Sequence, residues 1–176
     1  MQTLLKLLQD GRFHSGEELG AVLGISRSAV WKRLQHLEAE HGLQFHKVRG
    51  RGYRLASPLS LLDPRKIDSL WPVEIMPTVD STNSEAMRRL AAGASTPFVI
   101  VAEQQTAGRG RRGRAWVSPY GENLYYSLAI TVRGGARELE GLSLVVGLAV
   151  LRALESLGVR DAQRPVSYTH LTLPTT

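Results

Sequence analysis

Ser15-Gly16-Glu17-Glu18-Leu19-Gly20-Ala21-Val22-Leu23-Gly24-Ile25-Ser26-Arg27-Ser28-Ala29-Val30-Trp31-Lys32-Arg33-Leu34-Gln35-His36-Leu37 decides the first fold in this chain. Ser15 and Glu18 form a Ser-x-x-Glu capping box, in which the hydroxyl takes an orphan amide and the carboxylate reaches back to the cap. A helix is therefore expected from that point, carrying Leu19, Val22 and Leu23 inward and stopping at Gly24. Ser26 is placed to cap a second helix with Val30, Leu34 and Leu37 along one face. Helix, short glycine-containing turn, helix is the helix-turn-helix pattern.

Upstream, Leu4, Leu5, Leu7 and Leu8 predict a short apolar helix broken at Asp10-Gly11. Downstream, Phe45, Val48, Tyr53 and Leu55 alternate loosely around Gly50 and Gly52, which predicts a β-hairpin and makes the module a winged helix-turn-helix. Opposite the apolar face of the second capped helix lie Ser28, Trp31, Lys32 and Gln35, with Arg27 at the edge. Such a face suits the major groove, while Lys47, Arg49, Arg51 and Arg54 of the hairpin are placed for phosphate contacts. A solvated basic face, or a winged helix used for protein contacts, would have the same residues. Residues 1–56 hold nine Lys/Arg against five Asp/Glu, so much of the chain's net charge of +6 falls on this module and favours DNA.

The chain has 176 residues, 43% of them hydrophobic, which allows one large or two small globular domains. No apolar run approaches membrane-spanning length, and the start has no secretory-signal pattern, so a soluble, cytoplasmic protein without membrane association is expected. The absence of cysteine excludes disulfides, thiolate nucleophiles and cysteine metal sites. No residue is assigned as a metal ligand.

Ser57-Pro58 marks a boundary, and Leu59 to Leu70 is expected as a short helical connector ending at Trp71-Pro72. Beyond it, strands are expected over Val73–Val79 and Phe98–Gln104 with a helix between them from about Asn83 to Ala92. Asn123 to Val132 alternates as a half-buried strand, and Glu138 to Leu157 reads as a long apolar helix stopped by Gly158. Strands interleaved with helices make this second part α/β or α+β.

Two motifs in it carry chemistry. Asp80-Ser81-Thr82-Asn83 sits at a strand-to-helix junction; Thr82-x-x-Glu85 reads as a capping box, yet small hydroxyl and amide groups there also suit a polar ligand ring. Gly108-Arg109-Gly110-Arg111-Arg112-Gly113-Arg114 contains a formal Gly-x-Gly-x-x-Gly, but Ala115-Trp116-Val117-Ser118-Pro119 follows and leads into a strand, so the dinucleotide-binding context fails. Four arginines within six residues repel one another unless an anion is bound, and the glycines let the backbone approach it. A clasp over a phosphate-bearing ligand, a solvated basic loop and a nucleic-acid contact are all compatible with the string.

Taken together, His14-Ser15-Gly16-Glu17, Ser26-Arg27, Gly50-Arg51-Gly52-Tyr53, Asp80-Ser81-Thr82-Asn83, Ala107 to Arg114, Trp116, Ser118-Pro119 and Gly121-Glu122-Asn123-Leu124-Tyr125 resemble one family, in one order. It is that of the bifunctional biotin protein ligases that also act as biotin operon repressors. The resemblance implies an α+β chain: a winged helix-turn-helix over residues 1–58, then an incomplete α/β biotin/lipoyl ligase-like catalytic domain over 59–164. It implies activation of biotin by ATP, with Mg²⁺, to biotinyl-5′-AMP, transfer to a lysine of a biotin carboxyl carrier protein, and repression as a homodimer on operator DNA.

By the same resemblance Ser81, Thr82, Asn83 and Gln105 hold the biotin ring, and Arg109, Gly110 and Arg111 order over its carboxylate and the adenylate phosphate. Arg109 and Arg111 take the catalytic role, Arg112 and Arg114 join the adenylate site, and Trp116 packs near adenine. DNA contacts are assigned to Arg27, Ser28, Trp31, Lys32, Gln35, Lys47, Arg49 and Arg51. The family's Lys-Trp-Pro-Asn-Asp segment, expected after Val159-Arg160, is replaced by Asp161-Ala162-Gln163-Arg164. The last twelve residues, Pro165 to Thr176, hold no charge and read as a non-native tail. The expectation is thus a truncated, catalytically incomplete ligase-repressor; the alternatives are a biotin- or adenylate-sensing DNA-binding regulator without ligase activity, and a lipoyl ligase relative.

Overall fold

The computed structural model describes residues 2–134 and 136–159, and by packing the chain divides into two units at Ala129/Ile130. The first unit opens with three helices, α1 (Gln2–Leu8), α2 (Gly16–Leu23) and α3 (Arg27–His41). Ser15 Oγ accepts the Glu18 amide at 3.0 Å and Ser26 Oγ accepts the Ala29 amide at 3.2 Å, so both serine caps form where the sequence places them. Leu4, Leu5, Leu8, Leu19, Val30, Leu34 and Leu37 are sealed from solvent in one cluster. Each such side chain contributes about 2 kcal/mol of burial free energy. Val22 does not join them: it is 61% exposed.

β1 (Phe45–Val48) and β2 (Gly52–Leu55) pair antiparallel as the wing, and His14 exchanges both backbone hydrogen bonds with Tyr53, at 2.9 and 2.8 Å. That bridge ties the entry to α2 onto the hairpin. His14 Nε2 also meets the Asp10 carboxylate at 2.9 Å, which raises the imidazole's pKa, while the Arg12 amide, and after it His14, lower that of the acid.

The expected helical connector from Leu59 to Leu70 does not form. Only one 3₁₀ turn, Pro64–Lys66, appears, capped by Asp63. Tertiary contacts override the local pattern: Leu59 and Leu61 pack on the winged-helix core, and the Leu62 amide is taken by Glu103 at 2.7 Å.

β3 (Val73–Met76) pairs parallel with β4 (Phe98–Ala102), and β4 pairs antiparallel with β5 (Tyr125–Ala129), giving the order β3-β4-β5. The crossover between β3 and β4 is α4 (Thr82–Ala91), whose Ala86 packs on Phe98, Ile100 and Ala129. β5 is half buried, but Tyr125 and Ala129 face inward, whereas Tyr126 and Leu128 are exposed. Ala129 is small enough for α4 to approach at that face. In the second unit α5 spans Leu142–Ser156, later than the expected start at Glu138, which lies in a 3₁₀ turn over Ala136–Leu139. Among the described residues no helix is long and apolar enough to cross a membrane.

The winged helix and the sheet meet in a polar junction within the first unit. His41, at the end of α3, donates from Nδ1 to Gln104 Oε1 at 2.9 Å and lies over the Tyr120 ring at 4.3 Å. Burial, helped by the negative charge of Glu103, pushes the Tyr120 phenol up to about 12. Glu103 itself is buried, and loss of hydration raises its carboxyl above the ordinary value despite the Leu62 amide. A raised carboxyl favours the protonated folded form, so its stabilising effect is complete below the unfolded pKa near 4.5 and is lost as pH rises through the folded value. Glu103→Gln keeps an acceptor for Leu62 and removes the desolvated charge. Its melting temperature is expected to exceed that of the natural chain at pH 7, with the gap closing toward pH 4 in thermal melts.

Candidate functional site

The site is organised around one side-chain amide. Gln105 follows β4, and its neighbourhood is tied to the segment that leads into α4 by Ala107 N–H to Asp80 C=O at 2.8 Å and Thr106 N–H to Val79 C=O at 2.9 Å. Gln105 Oε1 accepts from both the Thr82 amide (2.9 Å) and the Thr82 hydroxyl (3.2 Å). A backbone N–H can only donate, so the oxygen of the Gln105 amide must face Thr82 and its nitrogen must face away. That nitrogen donates to Ser118 Oγ at 3.1 Å, and Ser127 Oγ donates to Thr82 Oγ1 at 2.9 Å.

The helix cap is one residue earlier than the Thr82-x-x-Glu85 pattern suggested. Ser81 is the N-cap, its Oγ accepting the Ser84 amide at 3.5 Å, while Thr82 is the first helical residue. Gln105 is the cause: it holds the Thr82 amide and hydroxyl, so that hydroxyl is not used for capping. Ser81 and Thr82 are buried and Asn83 is exposed. Glu85 pairs instead with Arg88 (2.7 Å) and Arg89 (2.9 Å), and Arg88 also grips both oxygens of Asp80 at 2.7 and 2.8 Å. The Arg88 fork, with the Ser81 amide on the same carboxylate, holds Asp80 well below the usual carboxylate range. Arg89 reaches Glu74 on β3, which pins α4 to the sheet.

The arginine and glycine string folds as a small hairpin. Arg109 pairs with Ala115, the Gly110 amide donates to the Arg114 carbonyl at 2.7 Å, and the Trp116 amide donates to the Gly108 carbonyl at 2.8 Å. Arg111–Gly113 form its tip as a 3₁₀ turn in which Arg112 takes a left-handed backbone, φ 58°. Arg109 donates to Ser84 Oγ at the start of α4, so the hairpin leans over the Asp80–Ser84 turn. Between them lies an open cleft of about 380 Å³, lined by Asp80, Ser84, Gly108, Arg109, Gly113 and Arg114. Arg109, Arg112, Arg114 and Trp116 are exposed; the side chain of Arg111 lies outside the described part. The cleft is of small-molecule size and carries arginine charge, an arrangement suited to an anionic ligand.

The profile of the biotin/lipoate A/B protein ligase family matches residues 75–171, and that of an HTH domain family matches residues 1–54. The chain belongs to the biotin/lipoate A/B protein ligase family. It is 45% identical over 159 residues to the bifunctional ligase/repressor BirA of Salmonella typhimurium, covering 89% of this chain and 49% of the relative. It is 32% identical over 151 residues to the protein of the same name from Bacillus spizizenii, covering 82% of this chain and 46% of that one. The crystal structure of the Leishmania major biotin protein ligase in complex with biotinyl-5-AMP aligns with 55% of this chain and 40% of its own, at 37% identity and a TM-score of 0.44. The chain spans about half the length of the curated relatives it matches.

The residues expected to contact DNA lie on α3 and on the wing. Arg27, Ser28, Trp31, Lys32 and Gln35 are all exposed on α3, Trp31 at 43%. Arg49 and Arg51 are exposed on the wing, Arg51 lying over the Phe13 ring at 4.7 Å. Lys47 is engaged by Glu38 at 2.7 Å, so a phosphate would have to compete with that carboxylate. Arg54 is half-buried against Phe13 with a sealed, unpartnered Nε, a different setting from the open phosphate contact expected of it. Residues 160–176, which include the Asp161-Ala162-Gln163-Arg164 segment and the uncharged tail, lie outside the described residues.

Sequence reasoning missed Ser118 and Ser127 as members of the amide cluster. Ser127 alternates with Tyr126 and Leu128 on β5, a signal that it faces the same way as buried Tyr125 and Ala129. Ser118 carries no local signal.

Proposed function

We propose that this chain is the DNA-binding and biotin-recognising part of a biotin protein ligase and repressor of biotin genes. In this reading the family's reaction joins biotin to ATP as biotinyl-5′-AMP and passes the biotinyl group to a lysine of a biotin carboxyl carrier protein. The chain would act in the cytoplasm and bind operator DNA as a homodimer. The observation that carries the reading is the anchored Gln105 amide beside an arginine hairpin, on a chain that also bears the winged helix.

The polarity of the cluster supports a urea-like ring as ligand. Both lone pairs of Gln105 Oε1 are used by Thr82, and one Nε2 hydrogen goes to Ser118, so one N–H is left for a carbonyl. Thr82 and Ser127 hydroxyl oxygens keep acceptor capacity for ring N–H groups. At the other end of the ligand, a carboxylate attacking an α-phosphate gathers negative charge, and Arg109, Arg111, Arg112 and Arg114 supply positive charge where it develops. Gly110 lets the backbone approach that anion, and the exposed Trp116 face suits an adenine. Among the described residues no cluster of three His, Cys, Asp or Glu side chains able to hold a metal occurs.

Calorimetric titration of the chain with biotin and, separately, with lipoate tests the reading. Saturable biotin binding with lipoate at least tenfold weaker is the expected result. Preference for lipoate, or binding of neither, would overturn it, since a lipoate site has no use for a free amide N–H aimed at a ureido oxygen. Biotin-dependent release of pyrophosphate from ATP by the longer protein of which this chain is proposed to be a part separates a ligase from a ligand-sensing regulator.

A further inference from the structure

We propose that Ser118 is a positioning residue that couples the orientation of the Gln105 amide to the base of the arginine hairpin. The inference rests on the biotin reading for its consequence in binding, though its geometry does not. Ser118 is buried at 6% exposure, and its single hydroxyl serves two elements at once. It accepts from Gln105 Nε2 at 3.1 Å and donates to the Trp116 carbonyl at 3.3 Å. Trp116 is where the hairpin closes, through its amide to Gly108.

Gly108 packs over this hydroxyl. A Cβ there would come within 2.7 Å of the Trp116 carbonyl oxygen, 2.8 Å of Ser118 Oγ and 3.3 Å of Gln105 Nε2, so any side chain would pry the three apart. The close approach of the loop backbone to Ser118 is thus the reason for glycine at the head of the arginine string. Without the serine oxygen, the Nε2 side of the amide has no fixed partner, and the terminal amide torsion is a soft one. Gln105 would still be held at Oε1 by Thr82 but could swing its free N–H away from the ligand, and the Trp116 carbonyl would lose a donor.

The experiment uses the 176-residue chain with Ser118→Ala, Gln105→Ala and the double variant. Two readouts are taken: the ¹⁵N heteronuclear NOE of the Gln105 side-chain amide without ligand, and biotin affinity by calorimetry. In the natural chain the amide is expected to be ordered, and in Ser118→Ala its NOE should fall to that of an exposed glutamine. Biotin affinity should drop about tenfold in Ser118→Ala, whereas Ser118→Ala placed on Gln105→Ala should cost less than twofold more, because the serine acts through the glutamine. An amide that stays ordered in Ser118→Ala, or affinity losses that add, would overturn the proposal. If the natural chain binds no biotin, the functional reading fails while the NOE still decides the positioning role. Should Ser118→Ala not fold, Ser118→Cys, a weaker acceptor at the same place, is read against the same outcomes.

Discussion

Gly52→Ala is expected to unfold the winged helix-turn-helix, lowering stability by roughly 3 kcal/mol or more. Two independent costs combine. Gly52 has φ +96°, in a region that L-residues rarely enter, which alone costs about 1–3 kcal/mol. Its added Cβ would also fall inside the carbonyl oxygen of His14, with the His14 carbonyl carbon at 2.6 Å and the Ser15 Cα at 2.8 Å. These are backbone atoms, which cannot rotate aside. Relief requires parting the His14–Tyr53 bridge, and with it the tie between the wing and the start of α2. Urea denaturation followed by circular dichroism would measure the loss. A midpoint within experimental error of the natural chain would show that the bridge is not needed for the fold.

Arg109→Ala is expected to weaken binding of a non-hydrolysable biotinyl-adenylate analogue about a hundredfold while changing biotin affinity only a few-fold. Losing one charge-assisted hydrogen bond costs about 1.5–3 kcal/mol, and tenfold in affinity is about 1.4 kcal/mol. Arg109 also leans on Ser84, so its removal frees the hairpin from the first turn of α4 and loosens the neighbouring arginines. Thr82 and Gln105, the proposed biotin contacts, are paired with each other and do not depend on the Arg109–Ser84 contact. Arg111→Ala should show the same asymmetry, adenylate more than biotin. Equal losses for the two ligands in competition titrations would count against the hairpin as an anion clasp.

The caps at Ser15 and Ser26, the apolar face of α3 and the hairpin of the wing were legible because each depends on residues within a few positions of one another. The same local logic misplaced the cap of α4 by one residue. Thr82-x-x-Glu85 and Ser81-x-x-Ser84 are both plausible caps, and the choice was made by Gln105, 23 residues away. It also produced a helical connector after Pro58 that does not exist, because Leu59, Leu61 and the Leu62 amide are claimed by the winged-helix core and by Glu103, 41 residues on. On β5 the alternation itself was visible, but which face turned inward depended on where α4 lay.

The candidate site divides along the same line. Its ingredients stand in the primary structure: hydroxyls at a strand-to-helix junction, a glutamine before the glycine string, and four arginines within six residues. Packing sets the rest: Thr82, Gln105, Ser118 and Ser127 share one hydrogen-bond chain, Arg88 is committed to Asp80 and Glu85, and His41 at the end of α3 meets Gln104, next to Gln105. The reason is physical. Propensity, capping and periodicity act over one or two turns of chain, whereas a buried hydroxyl or amide must be paired by whatever packing brings to it, and those partners lie 13, 23, 45 and 63 residues apart.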